Sequence, residues 1–269
     1  MEAQVAVSEP EITPCRLIYP YYENPTMLEM QVENWNRYAG ELRSKVRLIV
    51  VDDCSEKYPA EPILRKCKIP KRLFRVSKRI PWNMHQARNI GALEACKRAE
   101  NFWMFMSDID IILTPEAALT MLTKTLDGHY HYTMERVFAP EFTERKVHPN
   151  TFLVKHAAYW MINGYDLDLT GGYGGGYGGD GEFRRQLSAI CPARHMDDVV
   201  LVGYGRRQRN GVAAIADADT TNYDRDEWQK KYRDAFNRKR IRGDMRSTNP
   251  IRVDYAPVPL APLKEDADV

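Results

Sequence analysis

An α/β fold, with a mainly parallel sheet flanked by helices, is what this sequence predicts, and three observations predict it. Short apolar runs recur at CRLIYPYY (15–22), KVRLIVVDDCS (45–55) and FWMFMSDIDIIL (102–113). Stretches with the apolar spacing of helices lie between them. The second and third runs end in pairs of aspartates, Asp52 with Asp53 and Asp108 with Asp110. Strands that alternate with helices pair in parallel and collect ligands at their carboxyl ends, which is where these acids sit.

Taken in order, CRLIYPYY reads as a short buried strand. In NPTMLEMQVENWNRYAGEL, residues Met27, Leu28, Met30, Val32 and Trp35 fall on one helical face. KVRLIVVDDCS is the second strand, HQARNIGALEACKRAEN is helical by composition and spacing, and FWMFMSDIDIIL is the third strand. A helix is expected near Pro115. Residues 126–170 mix short strands with turns. GGYGGGYGGDGEF is a glycine-rich loop suited to close approach of backbone to a ligand. From residue 204 basic residues cluster, and the chain is expected to end in a disordered APVPLAPLKEDADV.

Composition narrows the class. With 43% hydrophobic and 28% charged residues, the 269-residue chain is of ordinary globular type, and a net charge of +2 gives no general sign of nucleic-acid or membrane binding. Five scattered cysteines, odd in number and without a C-x-x-C pair, argue against a disulfide scaffold or a zinc ribbon and read as small buried hydrophobes. No run is apolar for the roughly 18 residues of a membrane span, and the N-terminus lacks a signal-peptide core. A cytoplasmic protein is expected.

The carboxylates carry the chemistry. Two acids at the end of a buried strand repel each other and are penalised by desolvation, and a divalent cation relieves both costs. Alternation along a strand puts Asp108 and Asp110 on one face, where both can address one ion, and oxygen ligands suit Mg²⁺ or Mn²⁺ completed by phosphate oxygens and water. The alternative is a solvated strand end that caps the next turn. The second strand repeats the arrangement, and Arg88 supplies a cation at the start of the helix between them. Asp180, after the glycine loop, reads either as a catalytic acid or base or as a carboxylate at a helix N-terminus. Tyr173 and Tyr177 either stack on a sugar or base or pin their loop.

LIYPYYEN, LIVVDDCS, ARNIGALEA and MFMSDIDIILTPEAA, in this order, resemble the nucleotide-binding half of the family 2 glycosyltransferases with the glycosyltransferase A fold. WMINGYDLDL followed by YGGDGEFRRQL resembles that family's acceptor half. The resemblance covers about residues 14–190. It implies a nucleotide-sugar-binding half at 14–125, an acceptor-binding and catalytic half at 126–203, and an unmatched basic C-terminal extension at 204–269. It implies that Pro20, Tyr22, Asp52, Asp53, Arg88 and Asp108 surround the nucleotide sugar, with UDP the favoured nucleotide. Asp110 would bind the metal beside Asp108, and Asp180 would be the base of an inverting transfer. Glu182 is the substitute base if the register is shifted by two. Gly179 stands where the family commonly carries an acid. His195, in CPARHMDD, would be a third metal ligand; His129, His131, His148 and His156 offer no ligand spacing. Tyr173, Tyr177, Gly178 and Gly179 would contact the acceptor.

The acceptor is open, with a glycan and DNA both considered. The basic tail, with Trp228, Tyr232 and Phe236 among its charges, reads first as a solvated amphipathic helix. Second, it reads as a surface that follows a phosphate backbone, as in phage-encoded transferases that glycosylate a hydroxymethylated base, which would place the protein in a host cell rather than in its own bacterium. Outside catalysis, a sugar-nucleotide-binding or glycan-binding module is the rival. A nucleotidyltransferase would want a glycine-rich phosphate loop and a lysine near the first strand, and LIYPYYENP has neither.

Overall fold

Regular structure begins with β1 (Cys15–Tyr21), α1 (Pro25–Asn36), α2 (Gly40–Lys45), β2 (Val46–Asp52), α3 (Glu61–Leu64), β3 (Lys71–Val76), α4 (Met84–Glu94) and β4 (Trp103–Met106). It continues with β5 (Ile111–Ile112), α5 (Pro115–Leu122), β6 (His131–Phe138), β7 (Arg145–Lys155), α6 (His156–Met161), a 3-10 turn (Leu167–Leu169), α7 (Gly179–Ile190), β8 (Ala193–Gly203), α8 (Arg225–Arg242) and β9 (Tyr255–Val258). The structure, a computed structural model, describes residues 11–80, 83–96, 101–169, 179–204 and 225–260.

Among the described residues, nine strands form one sheet in the order β5-β8-β6-β7-β4-β1-β2-β3-β9. The predicted parallel sheet is its centre, where β4, β1, β2 and β3 run the same way. Both flanks add antiparallel pairs, β4 with β7 on one side and β3 with β9 on the other. Parallel strands covered by helices are apolar on both faces. Accordingly, Leu17, Tyr19 and Tyr21 of β1 enter one core with Trp35, Leu48 and Phe105, while Ile18 enters the other with Ile49, Val51, Met104 and Met106. Each such side chain, fully buried, contributes about 1.5–3 kcal/mol.

Helix starts follow the chemistry of their first residues. Asn24 caps α1 by accepting from the Met27 amide at 3.2 Å, and Thr114 caps α5 by accepting from Ala117, also at 3.2 Å; a proline follows each cap. The single helix expected over 25–42 is two. α1 stops at Asn36, Tyr38 turns inward to donate to the Leu113 carbonyl at 2.8 Å, and Gly40 restarts the chain at φ +52°.

Two further expectations are corrected. β3 was not anticipated, because Lys71, Arg72 and Arg75 dilute its apolar signal. The expected disorder does not begin at Ala256, because β9 pairs with β3 from Leu73–Val258 to Val76–Tyr255; residues 261–269 lie outside the described residues. Residues 126–170 contain two long strands, β6 and β7, whose register shifts between Thr133 and Glu135. Among the described residues, no helix is long and apolar enough to cross a membrane.

Candidate active site

The carboxyl ends of β1, β2 and β4 meet the first turns of α4 and α7, and the predicted acids gather there. The ARNIG motif of α4 explains why. Gly91 lets the helix lie on β1, since a Cβ there would come within 2.4 Å of Ile18 Cγ2. Asn89 satisfies its whole amide: its oxygen accepts from Tyr159 Oη (2.6 Å) and the Tyr165 amide (2.8 Å), while its nitrogen donates to the carbonyls of Tyr165 (2.9 Å) and Pro250 (2.7 Å). So held, α4 aims Arg88 and His85 at the acids.

Arg88 is completely buried and joins two carboxylates. One guanidinium nitrogen donates to Asp108 Oδ1, and the other lies 3.3 Å from Asp180 Oδ1. Its ring neighbour is Tyr165, 5.2 Å from the guanidinium carbon. Burial works against the charge of Arg88, but Asp108 and then Asp180 outweigh it, so the guanidinium stays charged. Arg88, which the resemblance implies lies near the nucleotide sugar, ties the acid after β4 to the acid in the first turn of α7.

His85 Nε2 lies 2.8 Å from Asp180 Oδ1. Burial pushes the Asp180 carboxyl up, yet His85, Arg88 and Asn150 outweigh it and hold it well below the ordinary carboxylate range. Asp180 stands in the first turn of α7, as the N-terminal helix reading expects. Glu182 is engaged elsewhere: Arg185 (2.6 Å and 2.8 Å) and Gln186 (2.9 Å) take its oxygens, and Gln186 reaches on to the Met245 carbonyl. Of the two acids, Asp180 is the one that lies against His85 and Arg88.

Asp108 and Asp110 do not lie on a continuing strand. β4 ends at Met106, and the chain turns so that the Ile111 amide donates to the Asp108 carbonyl at 3.1 Å. Gln31 clamps this turn by donating to the carbonyls of Ile109 (2.9 Å) and Ile111 (2.7 Å). His148 Nε2 is 3.5 Å from Asp108 Oδ2, and its Nδ1 meets Thr151 Oγ1 at 2.8 Å, which in turn meets Ser107 Oγ at 2.8 Å. Burial pushes His148 down to about 4, more than Asp108 raises it, so the contact is one of a neutral imidazole. Arg136 of β6 feels both Asp110 and Asp108, although burial lowers its own value overall.

At the end of β2 the two aspartates part company. Asp52 accepts from the backbone amides of Ser55 (2.7 Å) and Ala60 (2.9 Å), which shapes the loop after β2. Glu23 fixes the same loop through the amides of Lys57 (2.8 Å) and Tyr58 (2.9 Å). Asp53 meets Asn83 Nδ2 at 2.7 Å and is pushed up to about 7, first by burial, against Asn83 and with Asp52 adding to it. Tyr22 lies close enough to Asp53 and Arg79 to feel both charges, while Pro20 is a buried member of β1 opposite Val51.

His195 is not brought to the acids. It pairs with Thr133 near the start of β8, its Nδ1 3.1 Å from Thr133 Oγ1. The aspartate turn leads into β5, which pairs with Val202 and Gly203 at the far end of β8. Five residues of β6, roughly 17 Å at strand rise, separate the two levels. Tyr173, Tyr177 and Gly178 lie outside the described residues. Sequence reasoning missed His85, Asn83, Asn150, Arg136 and His148; the last it set aside for lack of spacing, although a ligand-type spacing is no guide to residues from separate strands.

No group of three or more His, Cys, Asp or Glu side chains among the described residues is arranged to hold a metal. Asp108 is engaged by Arg88 and Asp52 by backbone amides, so an ion at this end of the sheet would draw most of its ligands from substrate and water. The basic tail is part of the site's frame. Lys239 of α8, itself buried, lies 2.5 Å from Asp166 and 3.2 Å from Asp168, and Arg252 reaches Asp168 at 2.5 Å. α8 is helical, as the solvated-helix reading expects.

A family model described as Glycosyl transferase family 2 matches residues 17–180. No curated protein sequence matches the chain. Among solved structures, the chain is similar to the mannosyltransferase PcManGT from Pyrobaculum calidifontis in complex with GDP-Man and Mn²⁺, at 14% identity and TM-score 0.53 over 77% of this chain and 62% of that one. It is also similar to S. aureus TarS 1-349 in complex with UDP-GlcNAc, at 11% identity and TM-score 0.57 over 84% of this chain and 72% of that one. A third is GalNAc-T7 with UDP, GalNAc and Mn²⁺, at 13% identity and TM-score 0.52 over 74% of this chain and 45% of that one. The chain thus spans less than two thirds of the first and third of these proteins. Together with the family match, these likenesses give the fold as glycosyltransferase A.

Proposed function

The chain belongs to glycosyl transferase family 2, and on that premise we propose that it transfers a sugar from a nucleotide sugar to an acceptor hydroxyl with inversion, Asp180 acting as the base. The observation that carries this reading is the single buried arginine between Asp180 and Asp108. It makes the base and the donor-side aspartate turn one rigid unit, and holding reactants in a fixed geometry is a large part of what a transferase must do.

In this reading the acceptor oxygen forms a bond to the anomeric carbon from the side opposite the diphosphate. Its proton passes to the Asp180 carboxylate, the bond from the anomeric carbon to the phosphate oxygen breaks, and the nucleoside diphosphate leaves with the electron pair. His85 and Arg88 hold Asp180 ionised, so the base is in its active form at any neutral pH. Asp53, Asn83 and Tyr22 receive the nucleoside, for which UDP remains the favoured choice. Arg136 adds a positive charge near the diphosphate. Asp110 would hold Mn²⁺ or Mg²⁺, which when bound neutralises charge on the leaving diphosphate as a Lewis acid.

The test is thermal melting of the full chain with a panel of nucleoside diphosphates and nucleotide sugars, with and without Mn²⁺, beside Asp110→Asn. A bound ligand raises stability by mass action. A metal-dependent rise for one nucleotide, lost in the variant, is expected; no rise with any nucleotide would overturn the reading.

A further inference from the structure

The family resemblance leaves a gap at Gly179, where an acid commonly precedes the base, and the structure shows what fills it. A side chain at 179 would meet His85 Cε1 at 2.7 Å, His85 Nδ1 at 2.9 Å and the Leu169 carbonyl oxygen at 3.0 Å. The imidazole of His85 occupies that space. It is held there by a column of rings: it stacks on Tyr165 with centroids 4.8 Å apart and planes 9° apart, and Tyr165 stacks on Phe183 at 3.9 Å and 9°. Phe183 belongs to α7, three residues after Asp180, so the column fixes the ring relative to the helix that carries the base.

Resting on the transferase reading above, we propose that His85 is a positioning residue for the base, a side chain from α4 that does for Asp180 what no side chain at 179 can do here. The carboxylate can only accept, so the Nε2–H of His85 donates to Oδ1. Nδ1 is buried and has no hydrogen-bond partner among the described residues. Arg88 addresses the same oxygen from one turn further along α4. Two donors from one rigid helix, both on Oδ1, fix the rotation of the carboxylate about its own axis. A group so oriented presents its basic oxygen to the acceptor in one direction only. Glycine at 179 is the condition for this arrangement, because any Cβ there would displace the ring.

Two variants separate positioning from packing. His85→Phe keeps the ring column and removes the donor, whereas His85→Gln keeps a donor near the place of Nε2 and removes the ring. With release of nucleoside diphosphate as the readout, His85→Phe is expected to lower kcat by roughly 10- to 100-fold, with the KM for the nucleotide sugar and the melting temperature little changed. His85→Gln should recover most of that loss. Equal rates for wild type and His85→Phe, or a loss in His85→Gln as deep as in His85→Phe, would overturn the proposal while leaving the transferase reading intact. If the wild type neither binds nor turns over any nucleotide sugar, the transferase reading fails and the inference fails with it. A second measurement needs no turnover: nitrogen NMR of the full chain should find the His85 proton on Nε2, with a signal that moves in Asp180→Asn. A ring with no proton on Nε2 would overturn the assignment.

Discussion

Two strands of this sheet end in the same way and do different work. β2 ends at Asp52 and Asp53; β4 is followed by Asp108 and Asp110. In each case the chain leaves an apolar run on a pair of carboxylates. After β2 the hydrogen bonds are to neutral groups: Asp52 gives both oxygens to the amides of Ser55 and Ala60, with Arg75 close enough to be felt, and Asp53 accepts from Asn83 and is pushed up to about 7. After β4 the first acid meets a guanidinium that never leaves the interior. The lesson is that strand-end acids are not a chemical signature by themselves. What faces them decides whether they shape a loop, sit near neutrality or stand as fixed charges.

The sharpest way to break the comparison is to remove the cation from one side. Arg88→Met should leave the half-buried Asp108 and Asp180 without their counter-charge, costing about 3 kcal/mol, the low end for breaking a buried pair, in chemical denaturation and abolishing transfer. If stability barely changed, the arginine would not be what distinguishes the two ends. Asp180→Asn comes next: kcat should fall by roughly 10²- to 10⁴-fold, while nucleotide-dependent melting shifts persist. Full activity in this variant would move the base elsewhere.

The β2 end offers smaller effects. Asp52→Asn keeps the shape but sets an amide nitrogen against a backbone N–H, and a loss of about 2–3 kcal/mol is expected in urea unfolding, because charge-assisted bonds are lost. Asp53→Asn should go the other way. Burial raises the folded Asp53 from the ordinary carboxylate value to about 7, so the folded state disfavours the ionised form. The stability penalty is absent below the unfolded value, grows as pH rises from about 4 to about 7, and is constant above. The variant should therefore gain melting temperature at pH 8 more than at pH 5, and lose its response to the nucleotide. A gain independent of pH would show that Asp53 is ionised throughout.

Much of the fold could be read from the chain. Strands β1, β2 and β4, with the helices between them, are visible because buried parallel strands must be apolar at every position and their helices at every third or fourth. β3 and β9 were not visible: the first is diluted by Lys71, Arg72 and Arg75, and the second is four residues, half-buried at most, whose pairing exists only once β3 lies beside it. At the site, Asp180, Asp108 and Arg88 were legible from motif order. His85 was overlooked within HQARNIG, although its position three residues before Arg88 puts both on one face of α4. His148 and Asn150 had no local signal, since they come from β7, an antiparallel strand that reaches β4 from far along the chain.

By itself, then, the sequence determined the alternation of strand and helix, the acids at strand ends and the family to which they belong, because periodicity and motif order are local and survive without coordinates. Tertiary structure alone decided the partners of those acids. A carboxylate's charge state and role depend on groups within a few ångströms, and those groups arrive from segments that the chain order keeps far apart. Asp52 became part of a loop, Asp108 the partner of a buried arginine, and Asp180 the partner of a histidine lying in the space that Gly179 leaves open.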